Sequence, residues 1–389
     1  MAISRLTHFI ASLMPLAACA EAQVSDQSAR PGLPTRYYVS PAGSDQNPGS
    51  EGSPFSTIQR AADVAGPGDT VIVGQGVYTG ASRLVSLNKG GTPGAWITFR
   101  SEPKGAAILD GRDGKSLEAW YFGRAVGYVR VEGFEIRNFG EHGFDSYGGG
   151  VHDLMIVGNH VHHIGRNCTD TSNGRTGASL GAGTRRVTFD GNVWHNIGRF
   201  APGERGCLPR TKNYQNHDHG IYVADADEIT IMNNVFHAFA RGWAIHRYSS
   251  AGALSHGLAI LNNTFVGQNP YRPGQIILAT PTVGVRIENN IFDGPMTGAI
   301  YFESLRLNGA AVRNNLARAG SIKVGRPKGV SFSRNWENTD PRLVGENDLR
   351  LRSDSPAIDV GLPLREVTND ADGLPRPQGK GYDLGAYER

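Results

Sequence analysis

The chain has 389 residues, 52 of them glycine, with 39 Lys and Arg against 36 Asp and Glu and a formal net charge of +3. Abundant glycine with ordinary charge suits a turn-rich β protein and excludes a disordered polyelectrolyte. The near-even charge balance, with no Lys/Arg stripe interleaved with aromatics, argues against a nucleic-acid partner and leaves an anionic ligand compatible but not required.

At the N-terminus, Arg5 precedes an apolar stretch over residues 9–18 that is too short to span a bilayer and ends in small residues. This is the pattern of an export signal over residues 1–20. Leu16-Ala17-Ala18-Cys19 also has the form of a bacterial lipoprotein box. Lipidation of Cys19 would tether the protein to the cell envelope, whereas cleavage after Ala20 or Ala22 would release it. Membrane contact is expected only through such an anchor. Residues 21–35, rich in Ser, Gln, Pro and Gly, read as a flexible tether, and residues 36–389 as one β domain. Within it, residues 53–66 form a cap. A short amphipathic helix over 56–64 turns Ile58, Ala61 and Ala62 inward and is ended by Gly66-Pro67-Gly68, which suits it to plug an open end of the fold.

From residue 154 one phrase returns: an alternating apolar run, one or two asparagines, then an apolar-aromatic pair. It occurs at 154–159, 187–192, 229–236, 258–265 and 285–292, with its last asparagine at Asn159, Asn192, Asn234, Asn263 and Asn290 and looser copies at Asn315 and Asn335. Alternation with period two predicts strands, and self-similarity over tens of residues predicts a solenoid of stacked coils. The asparagines read as scaffold, because asparagine tolerates left-handed backbone and its amide can bond the next coil. His162, His195 and His237 each fall three residues after a marking asparagine, so they should stack about 4.8 Å apart. Such a ladder is what a repeat produces by default and is read as structural rather than as a metal site.

The later repeats approach the length of a bare three-strand coil. Earlier ones carry insertions at 140–152, 166–184 and 200–216, which should project side by side and wall a cleft. Cys168 and Cys207 lie in two of them. In an oxidising compartment they are expected to pair, with two free thiols as the alternative. No CxxC or HxxxH spacing supports zinc.

The densest set of functional side chains, Lys212 through His217-Asp218-His219 to Tyr222, enters a strand directly from the longest insertion. If Ile221 and Val223 point inward, Tyr222 points out. Aligned with later coils, it predicts an exterior row of Tyr222, His246, Tyr301 and Lys323, with Asp145 as an earlier member. Trp243, Arg247 and Tyr248 flank it.

Both ends of the domain carry further motifs. Residues 37–49, 53–63 and 68–73 resemble the N-terminal segment of pectate-lyase-like right-handed parallel β-helix proteins, especially the family-nine polysaccharide lyases and their uncharacterised relatives. Residues 355–361, 372–377 and 382–388 resemble the closing segment of many exported β-helix proteins. The resemblance covers nearly the whole mature chain and implies an all-β, right-handed, single-stranded parallel β-helix with a C-terminal cap over 350–389, expected as a monomer.

It also implies action on a polysaccharide. A lyase needs a base, a proton donor and positive charge near a uronate carboxylate. His219 or His246 is expected as base, Tyr222 as donor, and Arg247 with Lys212 to neutralise the carboxylate. His217, Asp218, Asp145, Trp243, Tyr248 and Tyr301 are expected to bind an anionic polysaccharide. Family-nine lyases use a lysine base beside an Asp-bound calcium ion, so calcium is a cofactor to consider. The grouped acids Asp225, Asp227 and Glu228 read as a solvated turn instead. Alternatives are a glycoside hydrolase using two of Asp145, Asp170, Asp218 and Glu303, a uronate epimerase, or a non-catalytic glycan-binding surface lipoprotein.

Overall fold

Alternating apolar residues recur at the same point of each coil, and stacking coils is how such units bury them. In the computed structural model, Val129 and Val131, Leu154 and Ile156, Val187 and Phe189, Ile229 and Ile231, Leu258 and Ile260, and Val285 and Ile287 all lie in one continuous core. The structure describes residues 33–389 except 170, 182, 201–202, 208–216, 240, 250–251, 253, 268–271, 296 and 305. The export signal, Cys19, most of the tether, Asp170 and Lys212 therefore lie outside the described residues.

Three parallel sheets of 11, 9 and 9 strands run the length of the domain; past the first strand, which pairs with the second, each strand in them pairs with the one three further along the chain. The result is a right-handed parallel β-helix. Similar residue types meet on several rungs. The Trp194, Phe236, Phe265 and Phe292 rings stack in sequence, with centroids 6.2, 4.9 and 4.9 Å apart, a geometry that adds to their area burial.

The asparagines form a continuous ladder from Asn159 to Asn335. The Asn263 side-chain oxygen accepts from the Asn234 backbone N–H at 2.8 Å and from its amide at 3.1 Å, while the Asn263 amide donates to Asn290 at 3.0 Å. The partner before each marking asparagine takes the left-handed bend: Asn233, Asn262, Asn289 and Asn314 have φ between 50° and 58°. Successive rungs are 33 and 42 residues apart in the earlier coils but 27 and 25 in the later ones. Part of the excess, residues 172–175, lines the cleft.

The helix spans Ile58–Val64 with Thr57 as its N-cap, and Ile58, Ala61 and Ala62 are buried. The C-terminal segment does more than close the last coil. It runs back along the asparagine corner, where carbonyls of Val360, Leu362, Asn369 and Asp383 accept from Asn314, Asn289, Asn233 and Asn262. Ala357 and Leu384 pack on Ile291 and Leu316 on the outer side of the coils. No described helix is long and apolar enough to cross a membrane.

Candidate active site

The site lies on the nine-stranded sheet containing Glu118–Phe122, His142–Asp145, Thr176–Leu180, His219–Ala224, Ile245–Tyr248, Ile276–Leu278 and Gly298–Phe302. Its register sets Tyr121, Asp145, Ser179, Tyr222, His246, Ile277 and Tyr301 on one row. Asp145, Tyr222, His246 and Tyr301 thus share the anticipated row, with Ile277 filling the rung between the last two. Lys323 does not join it. It pairs with Ile300 while Val324 takes the rung beside Tyr301, and its ammonium sits 4.4 Å over the Phe332 ring.

A second row, Glu118, His142, Thr176 and His219, faces the same cleft. The rows are three residues apart, although a regular strand returns to one face every two. The extra residues are Gly143, Gly177 and Gly220. A Cβ there would come 2.6, 2.7 and 2.5 Å from a carbonyl oxygen of the next coil, so only glycine permits this approach. The signal is legible in hindsight as His142-Gly143-Phe144-Asp145, Thr176-Gly177-Ala178-Ser179 and His219-Gly220-Ile221-Tyr222.

The cleft has a volume of about 810 Å³, and His217, His219, Tyr222, Trp243, His246, Tyr248, Tyr301 and Asp145 all line it. At its centre the Trp243 backbone N–H points at His219 Nδ1 at 3.3 Å, and His219 Nε2 meets His246 Nδ1 at 2.9 Å. If His219 Nδ1 accepts the amide, its Nε2 carries the proton and donates to His246 Nδ1. His246 Nε2 then carries the remaining proton. That nitrogen is buried and makes no other hydrogen bond. Burial holds His219 well below the ordinary histidine range and pushes His246 down to about 3, so both are neutral near pH 7. The Tyr222 ring lies 5.3 Å from His219 and 5.2 Å from His246. Burial raises its phenol pKa, keeping it protonated. Trp243 stacks on His219 at 5.8 Å, its indole N–H held by the Pro273 carbonyl.

Toward the N-terminal coils the cleft is acidic. Glu118 pairs with Arg83 at 2.8 Å and Glu141 with Arg175 at 2.5 Å. Asp145 accepts the Tyr147 N–H at 3.0 Å, and burial, then the Glu118 charge, pushes it up to about 6. Sequence reasoning missed Glu118, Glu141, His142, Arg175 and Arg272 in this lining; Glu303, named only for the hydrolase alternative, is also there.

Two expectations are corrected. Arg247 pairs with Val223 and Leu278 on the inward row and is 1% exposed. It serves a corner of the coil, donating to the Ala226 carbonyl with Asp227 at 3.5 Å, and burial lowers its pKa to about 10. Its neighbour His246 faces out, so alternation turns Arg247 in. Asp218 is 0% exposed. It accepts from the Arg175 N–H and from the Arg199 N–H, Nε and Nη2 at 2.8–3.0 Å, so its carboxylate is committed to scaffold. Cys168 and Cys207 are disulfide-bonded, with Cα atoms 5.5 Å apart, joining two of the insertions.

Calcium takes about six to eight oxygen ligands. The described cleft residues do not fit that need, since Glu118 and Glu141 are each engaged by an arginine and no group of three carboxylates converges there among the described residues.

Residues 37–258, more than half of the chain, match the family described as Pel9A-like, right handed beta helix region, and the chain belongs to that family. The crystal structure of pectate lyase Pel9A superposes with a TM-score of 0.59 over 92% of this chain and 97% of that one, at 15% identity, a shared fold. Over 81 residues the chain is 36% identical to the uncharacterized protein YwoF of Bacillus subtilis (strain 168), covering 21% of this chain and 17% of that protein. It is also 36% identical over 81 residues to pectate lyase PEL9 of Emericella nidulans, covering 21% and 20%. The matched segment spans about a fifth or less of each relative.

Proposed function

We propose that this member of the Pel9A-like right-handed β-helix family is an exported enzyme that cleaves a uronate-containing polysaccharide by β-elimination. The observation that carries the reading is the contact of His219, His246 and Tyr222 in one cleft, with the proton of the imidazole chain ending at His246 Nε2. His246 Nε2–H, covered in the free protein, donates to the uronate carboxylate once substrate entry turns aside the side chains over it, withdrawing charge and acidifying the neighbouring C–H. A preorganised hydrogen bond there stabilises the enolate-like intermediate as its charge develops. Tyr222, kept protonated by burial, gives its proton to the departing 4-linked oxygen. The imidazoles are poor bases at their depressed pKa values. Asp145, pushed up to about 6, is ionised near neutrality and more basic than an ordinary aspartate, the match a general base needs. It lies two rungs from Tyr222 on the same row, about 9.6 Å by strand spacing. Trp243, Tyr248 and Tyr301 offer aromatic faces for sugars along the cleft.

The test is ultraviolet absorbance of unsaturated uronate with mass spectrometry of the products across acidic and neutral polysaccharides. New absorbance with fragments that lack added water is expected, and His246→Ala and Tyr222→Phe should abolish it while leaving glycan affinity largely intact. A hydrolase is favoured by one observation, the two buried carboxyls Asp145 and Glu118 with raised pKa values. Fragments that gain water without new absorbance would move the assignment there. Export rests on residues 1–20 and the Cys19 box: Cys19→Ser should shift the protein out of the membrane fraction, and an unchanged distribution would remove the lipid anchor.

A further inference from the structure

A different sheet carries a second cluster. The strand His160–His162 pairs in parallel with Val193–His195, so that His162 faces His195 across one rung. His160 and His162, two apart on one strand, share its outer face. We propose that His160, His162 and His195 bind a divalent first-row transition-metal ion, Zn2+ or a close relative in ligand preference.

A repeat accounts for part of this arrangement. His162 stacks on His195 at 4.8 Å with planes 3° apart, and His195 stacks on His237 at 4.6 Å, the ladder expected from the spacing. His160 breaks that pattern. Its cross-strand partner is Val193, yet it reaches diagonally so that its Nε2 lies 2.8 Å from His195 Nε2. Three ring nitrogens, one from each residue, then lie within 4.8 Å of one another.

The surroundings prepare them as ligands. His195 Nδ1 donates to the Asn196 side-chain oxygen at 2.5 Å, which leaves the lone pair on Nε2. This is how a metal-binding histidine is normally oriented, its second ring nitrogen hydrogen-bonded to an oxygen. His162 Nε2 faces the Glu135 carboxylate at 3.3 Å, to which it can only donate, so Nδ1 is its ligand atom and exchanges its 2.7 Å contact with His163 Nδ1 for the metal. Ligation by both facing Nε2 atoms requires His160 to carry its proton on Nδ1. Three imidazoles from adjacent strands present one triangular face. The remaining position is open to water or Glu135, whose carboxylate is shared with Arg137 at 2.8 Å. Nitrogen donors select Zn2+, Co2+, Ni2+ or Cu2+ over Ca2+ or Mg2+.

The experiment titrates the full-length, untagged, chelator-stripped protein with Zn2+ by calorimetry and with Co2+ by visible absorption. One equivalent per chain is expected. His160→Ala, at an exposed position whose loss spares the core, should weaken binding by more than about 100-fold. Asn196→Ala should cost the roughly 10–100-fold typical of losing a supporting partner, and His237→Ala should leave affinity unchanged. No stoichiometric binding, or wild-type affinity in a His160→Ala protein of native circular dichroism, would overturn the proposal. So would equal loss on replacing His237, which would mark the ladder itself as the ligand.

Discussion

Replacing Asp218 with Asn tests whether this carboxylate holds the cleft floor or meets the substrate. Asp218 and Arg199 are both 0% exposed, and the carboxylate takes four hydrogen bonds: one from the Arg175 N–H and three from Arg199, backbone and guanidinium. Asn keeps the shape but removes the charge and turns an amide donor toward donors. Removing one partner of a buried ion pair costs about 3–5 kcal/mol, because the other charge is left uncompensated. Asp218→Asn should therefore lower the urea midpoint by that energy divided by the denaturant slope, followed by tryptophan fluorescence and circular dichroism. Turnover should fall as well, since His219 is the next residue. The double variant Arg199→Leu/Asp218→Leu should recover part of the loss. Recovery is incomplete because Arg199 also donates to the Thr171 carbonyl at 2.7 Å. An Asp218→Asn protein that unfolds at the wild-type midpoint but no longer binds glycan would refute the scaffold assignment and return Asp218 to the substrate.

Asp145→Asn addresses the acidic end of the cleft. The folded pKa of Asp145, about 6 against an ordinary 3.8, means the folded state holds its proton more tightly, so this group's contribution to stability falls as pH rises from about 4 to 6. Removing the titration should raise stability at pH 7 by up to about 3 kcal/mol and flatten the pH dependence in that window, while activity, which rises through the same window in the wild type, is lost. Midpoints and initial rates measured from pH 4 to 8 check both, and a variant that keeps wild-type turnover would exclude Asp145 as base. Reducing the Cys168–Cys207 bridge, with its sequence separation of 39, should destabilise the protein by up to about 4 kcal/mol on the chain-entropy account. An unchanged unfolding midpoint in reductant would show that the insertions are held by their other contacts.

The coil architecture was legible because it rests on short-range regularities. Apolar residues at alternate positions and asparagine at each bend repeat from Asn159 to Asn335, and both are consequences of strand geometry that hold whatever surrounds the strand. The same alternation placed Tyr222, His246 and Tyr301 on one exterior row, and Ile58 and Ala61-Ala62 on the inner side of the capping helix. It failed where the strand is irregular. Gly143, Gly177 and Gly220 add a residue between two outward rows, so the row of Glu118, His142 and Thr176 escaped notice beside His219. It also could not say whether a charged side chain next to a strand faces the cleft or serves the scaffold. Arg247 follows outward His246 and so turns inward to the coil corner. Asp218 is claimed by Arg199, which belongs to the preceding coil and lies 19 residues away in the sequence, too far for local periodicity to pair them. The tautomer of the His219–His246 pair hangs on one backbone amide of Trp243, and His160 meets His195 diagonally across two coils. Local periodicity is written along the chain and determines the fold. Which side chains meet depends on how loops of unequal length bring separate coils into register, and only the tertiary structure decides that.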